Sequence, residues 1–362
     1  MCAGELALGD SHSIILKADG SIWGCGLNSE HQLGIDSSIH HSEKFVQVVP
    51  SGVTRVATGH SHSILIKDDE TVWGTGKNSY GQLGDGTTTD KDDFTFIKLF
   101  SGAKAVAAGG WHSMIMTETG AVWTAGWNKF GQLGSGDSDY GNNEWRQSME
   151  DAKAIAAGHH HSLVLKKDGR VWAAGRNAYG QLGDGSRMDM NRFVQVLHGE
   201  GAFMTAIAIA AGGYHSLALT NDNRVLSTGW NLYSQLGDPN LLEDDRATFM
   251  SVYTGAKAIA AGTRHSMILT LDGGVWATGY NMHGELGDGS IDTKSSFVQV
   301  FSSGVTAVAA GGYHSMVLKL DGGIWATGSN EFGQLGDGST DMTDSFVRVA
   351  RIIDGACTHW MD

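Results

Sequence analysis

The stretch from Ala256 to Gly289 reads A-K-A-I-A-A-G-T-R-H-S-M-I-L-T-L-D-G-G-V-W-A-T-G-Y-N-M-H-G-E-L-G-D-G, and versions of it recur along the whole chain. A fixed long period indicates a repeat architecture. A His-Ser pair marks the phase of each unit, at His12, His62, His112, His161, His215, His265 and His314. Seven units of about 50 residues fill the 362 residues, so we predict a single domain over 1–362.

Repeat 6, which begins with the quoted stretch, contains four short β-type runs: Ala256–Ala261, His265–Leu271, Val275–Thr278 and Phe297–Val300. Asp272-Gly273 between the second and third runs is a hairpin signal, and no run has helical periodicity. Four strands per repeat are typical of a β-propeller blade.

We therefore predict an all-β fold, a seven-bladed β-propeller with four antiparallel strands per blade. An open β-solenoid is the weaker alternative, because its coils are usually shorter and need capping units. The chain starts with a short inner strand at Glu5–Leu8, so the N- and C-termini are expected to meet and close the ring. Cys2 and Cys357 would then be neighbours, which makes their pairing a weak hypothesis.

Two strand positions have a constant character. The first strand of most units is rich in alanine, which suits the crowded strand nearest a propeller axis. The third strand carries a tryptophan in six of seven units, and such rings would fill the gaps between blades. Repeat 5 has Leu226 at this position. The tryptophans are Trp23, Trp73, Trp123, Trp172, Trp276 and Trp325.

Composition excludes several classes of function. The formal charge of −14 opposes binding to nucleic acid or anionic lipid, and no apolar run is long enough to insert into a membrane. The N-terminus lacks the layout of a secretion signal, and three cysteines make no disulfide framework. We therefore predict a soluble protein of the cytoplasm, with the nucleus as the alternative, that is not secreted.

The run A-A-G-G-Y-H-S-M-V-L followed by D-G-G-I-W-A-T-G-S-N-E-F-G-Q-L-G-D-G resembles the regulator of chromosome condensation repeat family. The resemblance covers essentially the whole chain and implies a seven-bladed propeller. The founding member is a chromatin-bound guanine nucleotide exchange factor for the small GTPase Ran, and other members are interaction modules, scaffolds and inhibitors. This sequence shows no basic N-terminal tail and no sizeable insertion. Its largest irregularity is about four residues near His198–Thr205, so no exchange residues are carried over.

Residues that recur in every unit are predicted to be structural. Adjacent His and Ser point to opposite faces of a strand, so each pair is expected to bond a neighbouring strand rather than form a catalytic dyad. The Asn residues after the third strand are expected to bond backbone in turns. His159-His160-His161 and the Gly-Asp-Gly-Ser/Thr loops resemble metal sites only weakly, because their spacing does not fit one. The recurrent asparagines are Asn28, Asn78, Asn128, Asn177, Asn231, Asn281 and Asn330.

No enzyme motif is present, and the inner strands supply Ala, Val and Ile where propeller enzymes usually gather carboxylates or histidines. We therefore predict a protein that is not an enzyme and that binds no cofactor and no metal.

The positions that vary between units carry the functional prediction. One lies just before each His-Ser pair and the other just before each recurrent Asn, and strand alternation places both on one face. They supply Trp, Tyr and Arg, which are enriched at binding hot spots. The aromatics that follow nearby are Tyr80, Phe130, Tyr179, Tyr233 and Phe332, of which Phe130, Tyr179 and Phe332 are expected to pack under their loops. The predicted partner-binding residues are Trp111, Trp127, Arg176, Tyr214, Trp230, Arg264, Tyr280 and Tyr313.

The predicted function is a protein-interaction or scaffold propeller whose partner is a protein, with a small GTPase among the candidates. Three alternatives stand beside it: an exchange factor for a Ran-like GTPase, a carbohydrate or small-ligand receptor, and a structural subunit of a larger complex.

Overall fold

The computed structural model describes residues 4–91, 97–137, 139–199, 202–241, 244–353 and 356–357, and every regular element among them is a β-strand. The strands form seven antiparallel sheets in chain order, which are the blades of a propeller. Blade 1 contains β1 (Glu5–Leu8), β2 (His12–Leu16), β3 (Ile22–Leu27) and β4 (His41–Val49). Blade 2 contains β5 (Val53–Thr58), β6 (His62–Lys67), β7 (Thr71–Gly76) and β8 (Ile97–Ser101). Blade 3 contains β9 (Ala103–Ala108), β10 (His112–Thr117), β11 (Val122–Trp127) and β12 (Gly141–Met149).

The remaining blades follow the same order. Blade 4 contains β13 (Ala152–Ala157), β14 (His161–Lys166), β15 (Val171–Gly175) and β16 (Met190–Gln195). A short pair follows, β17 (Leu197–His198) and β18 (Ala202–Phe203). Blade 5 contains β19 (Ala208–Ala211), β20 (His215–Leu219), β21 (Arg224–Gly229) and β22 (Arg246–Thr254). Blade 6 contains β23 (Ala256–Ala261), β24 (His265–Thr270), β25 (Val275–Gly279) and β26 (Lys294–Phe301). Blade 7 contains β27 (Val305–Ala310), β28 (His314–Lys319), β29 (Gly323–Gly328), β30 (Thr343–Ile353) and β31 (Ala356–Cys357).

The predicted all-β seven-bladed fold is confirmed, and the strands of the quoted repeat differ from prediction mainly at the outer edge. Ala256–Ala261 matches β23 at both ends, whereas the outer strand β26 begins three residues before Phe297. Lys294, Ser295 and Ser296 show no apolar alternation, yet Lys294 pairs with Gly279 across the sheet. An edge strand that is solvated on one side can carry polar residues, which hides its first residues from a hydrophobicity pattern.

Seven hydrophobic clusters fill the interfaces between blades, and each third-strand tryptophan packs against one of them. Trp73, for example, packs with Ile14 and Ile22 of blade 1 and Leu65 of blade 2. The predicted place of these rings, between blades, is confirmed.

Blade 5 lacks the tryptophan, and its interface with blade 4 is filled differently. Leu226 packs there with Phe249 of the outer strand and with Met204, which follows β18. All three side chains are buried. The irregular segment near His198–Thr205 thus forms a small hairpin, pairs in parallel with β22 through His198, and supplies volume that the missing ring would occupy.

A closed belt of hydrogen bonds links each blade to the next. The histidine of each His-Ser pair bonds through Nε2 to the serine of the following blade at 2.8–3.0 Å, and His314 of blade 7 bonds Ser13 of blade 1. Six of the serines donate their hydroxyl proton to a backbone carbonyl, so there the histidine must donate from Nε2. We call these seven pairs the His–Ser belt. It confirms the structural interpretation of the repeated His and Ser.

The recurrent asparagines also have the predicted turn role. In all seven units the Asn side-chain oxygen accepts a hydrogen bond from the backbone N–H of the leucine five residues later, at 2.9–3.1 Å. In the Gly-Asp-Gly-Ser/Thr loops the aspartate is held by the same Asn and by its own turn, as Asp85 is by Asn78 and Thr87. These hydrogen bonds stabilise turns.

Blade 1 and blade 7 pack directly on each other, so the ring is closed. Ile15 and Cys25 of blade 1 share a buried cluster with Met316 and Leu318 of blade 7. An isolated antiparallel β-bridge between the backbones of Lys44 and Asp337 adds to this contact. The proposed pairing of Cys2 with Cys357 lies outside the residues whose side chains are described. Among the described residues, no helix could serve as a membrane span.

Candidate functional site

Backbone geometry places the two variable positions of each blade side by side. In every blade the residue after the third-strand glycine donates its N–H to the carbonyl of the residue before the belt histidine, as Trp230 does to Tyr214 at 2.9 Å. The intervening Gly229 has φ +105°, and a Cβ there would lie 2.6 Å from the Tyr214 carbonyl oxygen. Glycine is therefore required at this point, and both variable side chains emerge together on one face of the ring.

The variable residues of blades 3 to 7 form a continuous chain of ring contacts. Trp127 meets Trp111 edge-on at 5.5 Å, and Trp111 stacks on His160 at 5.1 Å with an interplanar angle of 12°. His160 contacts Tyr214 at 5.6 Å, and Tyr214 meets Trp230 edge-on at 5.5 Å. These separations and angles are typical of attractive aromatic pairs.

The same chain continues into blades 6 and 7. Trp230 contacts Tyr233 at 5.3 Å, Tyr233 contacts Tyr280 at 4.9 Å, and Tyr280 contacts Tyr313 at 6.3 Å. We call this set the aromatic band. Its members are Trp111, Trp127, His160, Tyr214, Trp230, Tyr233, Tyr280 and Tyr313.

Two arginines lie against the band. The Arg176 guanidinium lies 5.0 Å from the ring of Phe130 and 5.5 Å from those of Tyr179 and Tyr214. The guanidinium of Arg264 is 5.1–5.9 Å from four rings of the band, and these are Trp230, Tyr233, Tyr280 and Tyr313. Cation–π attraction of this kind holds the two guanidinium groups beside the rings.

The structure thus brings all eight predicted binding residues together on one face, and each is half-buried by its neighbours. Phe130 and Tyr179 are half-buried too, and they pack against Trp127 and Tyr214 respectively. Phe332 is half-buried, whereas Tyr80 is exposed beside Trp127. That the eight residues bind a partner stays a prediction.

A polar cluster at the axis was missed by the sequence reasoning. The half-buried carboxylate of Asp10 accepts hydrogen bonds from Nδ1 of His60 and, at 3.3 Å, from Nε2 of His159. Thr263 also contacts Nε2 of His159, at 3.2 Å. We call these four residues the axial cluster. The expectation that the axis lacks carboxylates and histidines is wrong at this end, because these residues follow the alanine-rich strands rather than lying within them.

A signal for the axial cluster does exist in the sequence. Its members occupy the position two residues before the belt histidine, which reads Asp10, His60, Gly110, His159, Gly213, Thr263 and Gly312 around the ring. This position also varies, with four residue types in seven blades, and Asp10, His159 and Thr263 line the axial cavity.

The electrostatics of the cluster favour an ion pair. Burial raises the pKa of Asp10, but the charges and hydrogen bonds of His159 and His60 outweigh burial and hold it well below its usual range. The hydrogen bond to Asp10 raises the pKa of His60 against the effect of burial. In contrast, burial, together with the nearby His159 and Arg176, lowers the pKa of His160 to about 3, so this ring of the band is neutral.

The three consecutive histidines do not converge. His159 belongs to the axial cluster, His160 to the aromatic band and His161 to the His–Ser belt. No group of three or more potential ligands in the described part of the chain could hold a metal ion. The axial cavity beneath the cluster has a volume of about 60 Å³ and is lined mainly by Gly and Ala, so it holds a few waters at most.

Fold and face together define the class: a repeat-built seven-bladed β-propeller with one continuous aromatic face. The chain belongs to the family of RCC1-like domains, because the model of that domain matches residues 3–302 and the RCC1 repeat model matches residues 305–334. No curated protein sequence matches the chain significantly.

Solved structures with the same fold include two of yeast RCC1 (Prp20) and one of human WBSCR16. Yeast RCC1 (Prp20), solved bound to Kap60, has 23% identity and a TM-score of 0.81 over 92% of this chain and 84% of that chain. Prp20p from Saccharomyces cerevisiae, described with its binding to Gsp1p and histones, has 22% identity and a TM-score of 0.82 over 92% and 87%. Human WBSCR16 has 24% identity and a TM-score of 0.77 over 88% of each chain. At these identities the likeness is one of fold.

Proposed function

We propose that this propeller is a non-enzymatic interaction module that binds a protein partner through the aromatic band. The observation that carries the proposal is the continuity of the band. Half-buried Trp and Tyr rings from blades 3, 5, 6 and 7 are joined through His160 of blade 4, and two arginines lie against these rings. Large rigid rings and arginine supply most of the binding energy at protein interfaces. A regular ring of blades holds them in place without any need for ordering on binding.

The arrangement of polar groups supports a non-enzymatic role. Thr263 and Asp10 both reach the same nitrogen of His159, so a hydroxyl–imidazole–carboxylate relay, which needs both ring nitrogens, does not form there. A sugar receptor is disfavoured because the rings of the band meet largely edge-on and are half-buried, which leaves few free ring faces for stacking.

Affinity capture from extracts of the source cell tests the proposal. The wild-type chain should retain a partner that the triple variant Trp127→Ala/Trp230→Ala/Arg264→Ala loses. Arg170→Ala is the matched control, because Arg170 is an exposed arginine on the opposite face and its guanidinium pairs, among the described residues, only with Asp168 at 3.7 Å. Circular dichroism should show that both variants remain folded. Equal recovery by the folded triple variant would exclude the band as the binding site.

Exchange activity on a Ran-like small GTPase is the second candidate, and membership of the RCC1-like family favours it. Beyond the four strands of each blade, the described residues include only the pair β17–β18 and the terminal strand β31 as extra elements. The pair β17–β18 lies in the connection from an outer strand to the next inner strand, away from the band. Release of a fluorescent guanine nucleotide from a panel of small GTPases decides the question. A strong acceleration by the wild-type chain would replace the scaffold proposal with exchange activity.

A further inference from the structure

Arg176 and Arg264 differ from most arginines of this protein in having no counter-ion. The guanidinium group of neither arginine makes a hydrogen bond or an ion pair with any described residue, and Nε of Arg264 is buried without a partner. Six other arginines each lie within 4.0 Å of an aspartate. These six are Arg146, Arg170, Arg187, Arg224, Arg246 and Arg348.

Acidic residues are abundant in the chain, so a shortage of carboxylates does not explain the missing counter-ions. The sequence has 39 acidic against 25 basic residues. Two carboxylates whose charges act on rings of the band are already engaged: Asp10 by His60 and His159, and Glu285 by His283 at 3.0 Å. The guanidinium N–H groups of Arg176 and Arg264 are therefore uncommitted donors at the centre of an aromatic surface.

The packing of each guanidinium determines what it can recognise. A guanidinium that lies against rings keeps its N–H donors in its own plane, where they can bind a carboxylate or phosphate in a bidentate manner. The half-buried position of both arginines lowers the local dielectric, which strengthens such a bond relative to one at an exposed site.

The spacing of the two charges favours single carboxylates over phosphates. Tyr214 and Trp230 lie between the arginines, since Arg176 contacts Tyr214 and Arg264 contacts Trp230. Each arginine therefore presents one cation, whereas phosphoryl groups are usually bound by clusters of positive charge. The charge of −14 also repels a polyanion more strongly than a segment with two separated carboxylates.

We propose that the aromatic band binds an acidic peptide segment of its partner, with two Asp or Glu side chains separated by apolar residues. One carboxylate binds Arg176, the other binds Arg264, and the apolar residues lie on Tyr214 and Trp230. This inference rests on the proposed function and specifies the chemistry of the partner.

The test uses the wild-type chain and an array of 12-residue synthetic peptides, each with two acidic residues at varied spacing around Leu, Phe or Trp. A matched array replaces Asp and Glu by Asn and Gln, and another replaces them by phosphoserine. Affinities of retained peptides are then measured by fluorescence anisotropy. The variants are Arg176→Gln and Arg264→Gln, with Arg170→Gln as the control in blade 4 on the opposite face.

The expected result is retention of acidic peptides and at least a tenfold loss of affinity for their amide counterparts. Each of Arg176→Gln and Arg264→Gln should weaken binding about tenfold or more, because a buried charge-assisted hydrogen bond is lost, and Arg170→Gln should not. Affinity should also fall as salt is raised.

Three results would overturn the proposal: no retained acidic peptide, equal binding of the amide peptides, or a preference for phosphoserine. Equal binding of amide peptides that the triple variant of the band abolishes would refute the acidic segment while leaving the band as an interaction site. Failure of the proposed function would instead appear as equal partner capture by the wild type and the triple variant.

Discussion

The His–Ser belt and the aromatic band lie one residue apart in sequence and have opposite properties. His215 and Ser216 are fully buried, repeat in every blade and bond only inside the ring, whereas the adjacent Tyr214 changes identity from blade to blade and is half-buried on the surface. Residues that repeat in every blade hold the ring together, whereas residues that vary between blades form the surface that could recognise a partner. Alternation along a strand separates the two roles within a few residues.

The largest expected difference between the two regions is their response to acid. Burial lowers the pKa of six belt histidines to about 3 and that of His314 to about 4, and these groups are neutral in the folded state. The unfolded chain protonates them below about pH 6.5, so it binds more protons than the folded chain and stability falls as pH falls from about 6.5 to 4. Each histidine contributes about 1.4 kcal/mol per pH unit in this range.

Urea unfolding at a series of pH values measures this effect. The slope of unfolding free energy against pH should correspond to an uptake of several protons, with His160 adding one from the band. A slope of one proton or less between pH 6 and 4 would contradict a neutral buried belt.

A smaller loss of stability is expected from a substitution at Gly229, the glycine that lies between the belt and the band in blade 5. Gly229→Ala places a Cβ 2.6 Å from the Tyr214 carbonyl oxygen at φ +105°, so it should destabilise the fold by about 3 kcal/mol or more. Gly255→Ala is the matched control, because Gly255 has φ +88° and no atom within 4 Å of the added Cβ. Its cost should be about 1–2 kcal/mol from the backbone alone. Equal midpoints of urea unfolding for the two variants would show that the contact between the added Cβ and the Tyr214 carbonyl oxygen does not destabilise the fold.

The features that could be predicted from the sequence are those that repeat from blade to blade, and the features that could not are those that vary. The strands, the interblade tryptophans, the belt and the turns were predictable because each recurs about every 50 residues. The ring contacts of the band were not, since the direction of each side chain depends on its neighbours in other blades. The axial cluster was missed because Asp10, His60 and His159 come from blades 1, 2 and 4, and become adjacent only when the ring closes.

The smallest expected effect concerns His60 of the axial cluster, whose titration affects stability with the opposite sign to that of the belt histidines. Because Asp10 raises the pKa of His60, the pair stabilises the fold at pH values below the unfolded-state pKa of about 6.5. That contribution is lost as pH rises through the folded-state pKa. Asp10→Asn should lower the pKa of His60, measured by NMR titration of its ring protons, and should leave the belt histidines unprotonated down to about pH 4. An unchanged His60 pKa would show that the two groups are not coupled.

The paired variable positions are held by main-chain atoms alone, as in the hydrogen bond from the Trp230 N–H to the Tyr214 carbonyl. A main-chain bond of this kind is indifferent to which side chain each residue carries. The ring is therefore a display scaffold with two replaceable positions per blade, on which a new recognition surface could be grafted while the frame beneath it stays the same.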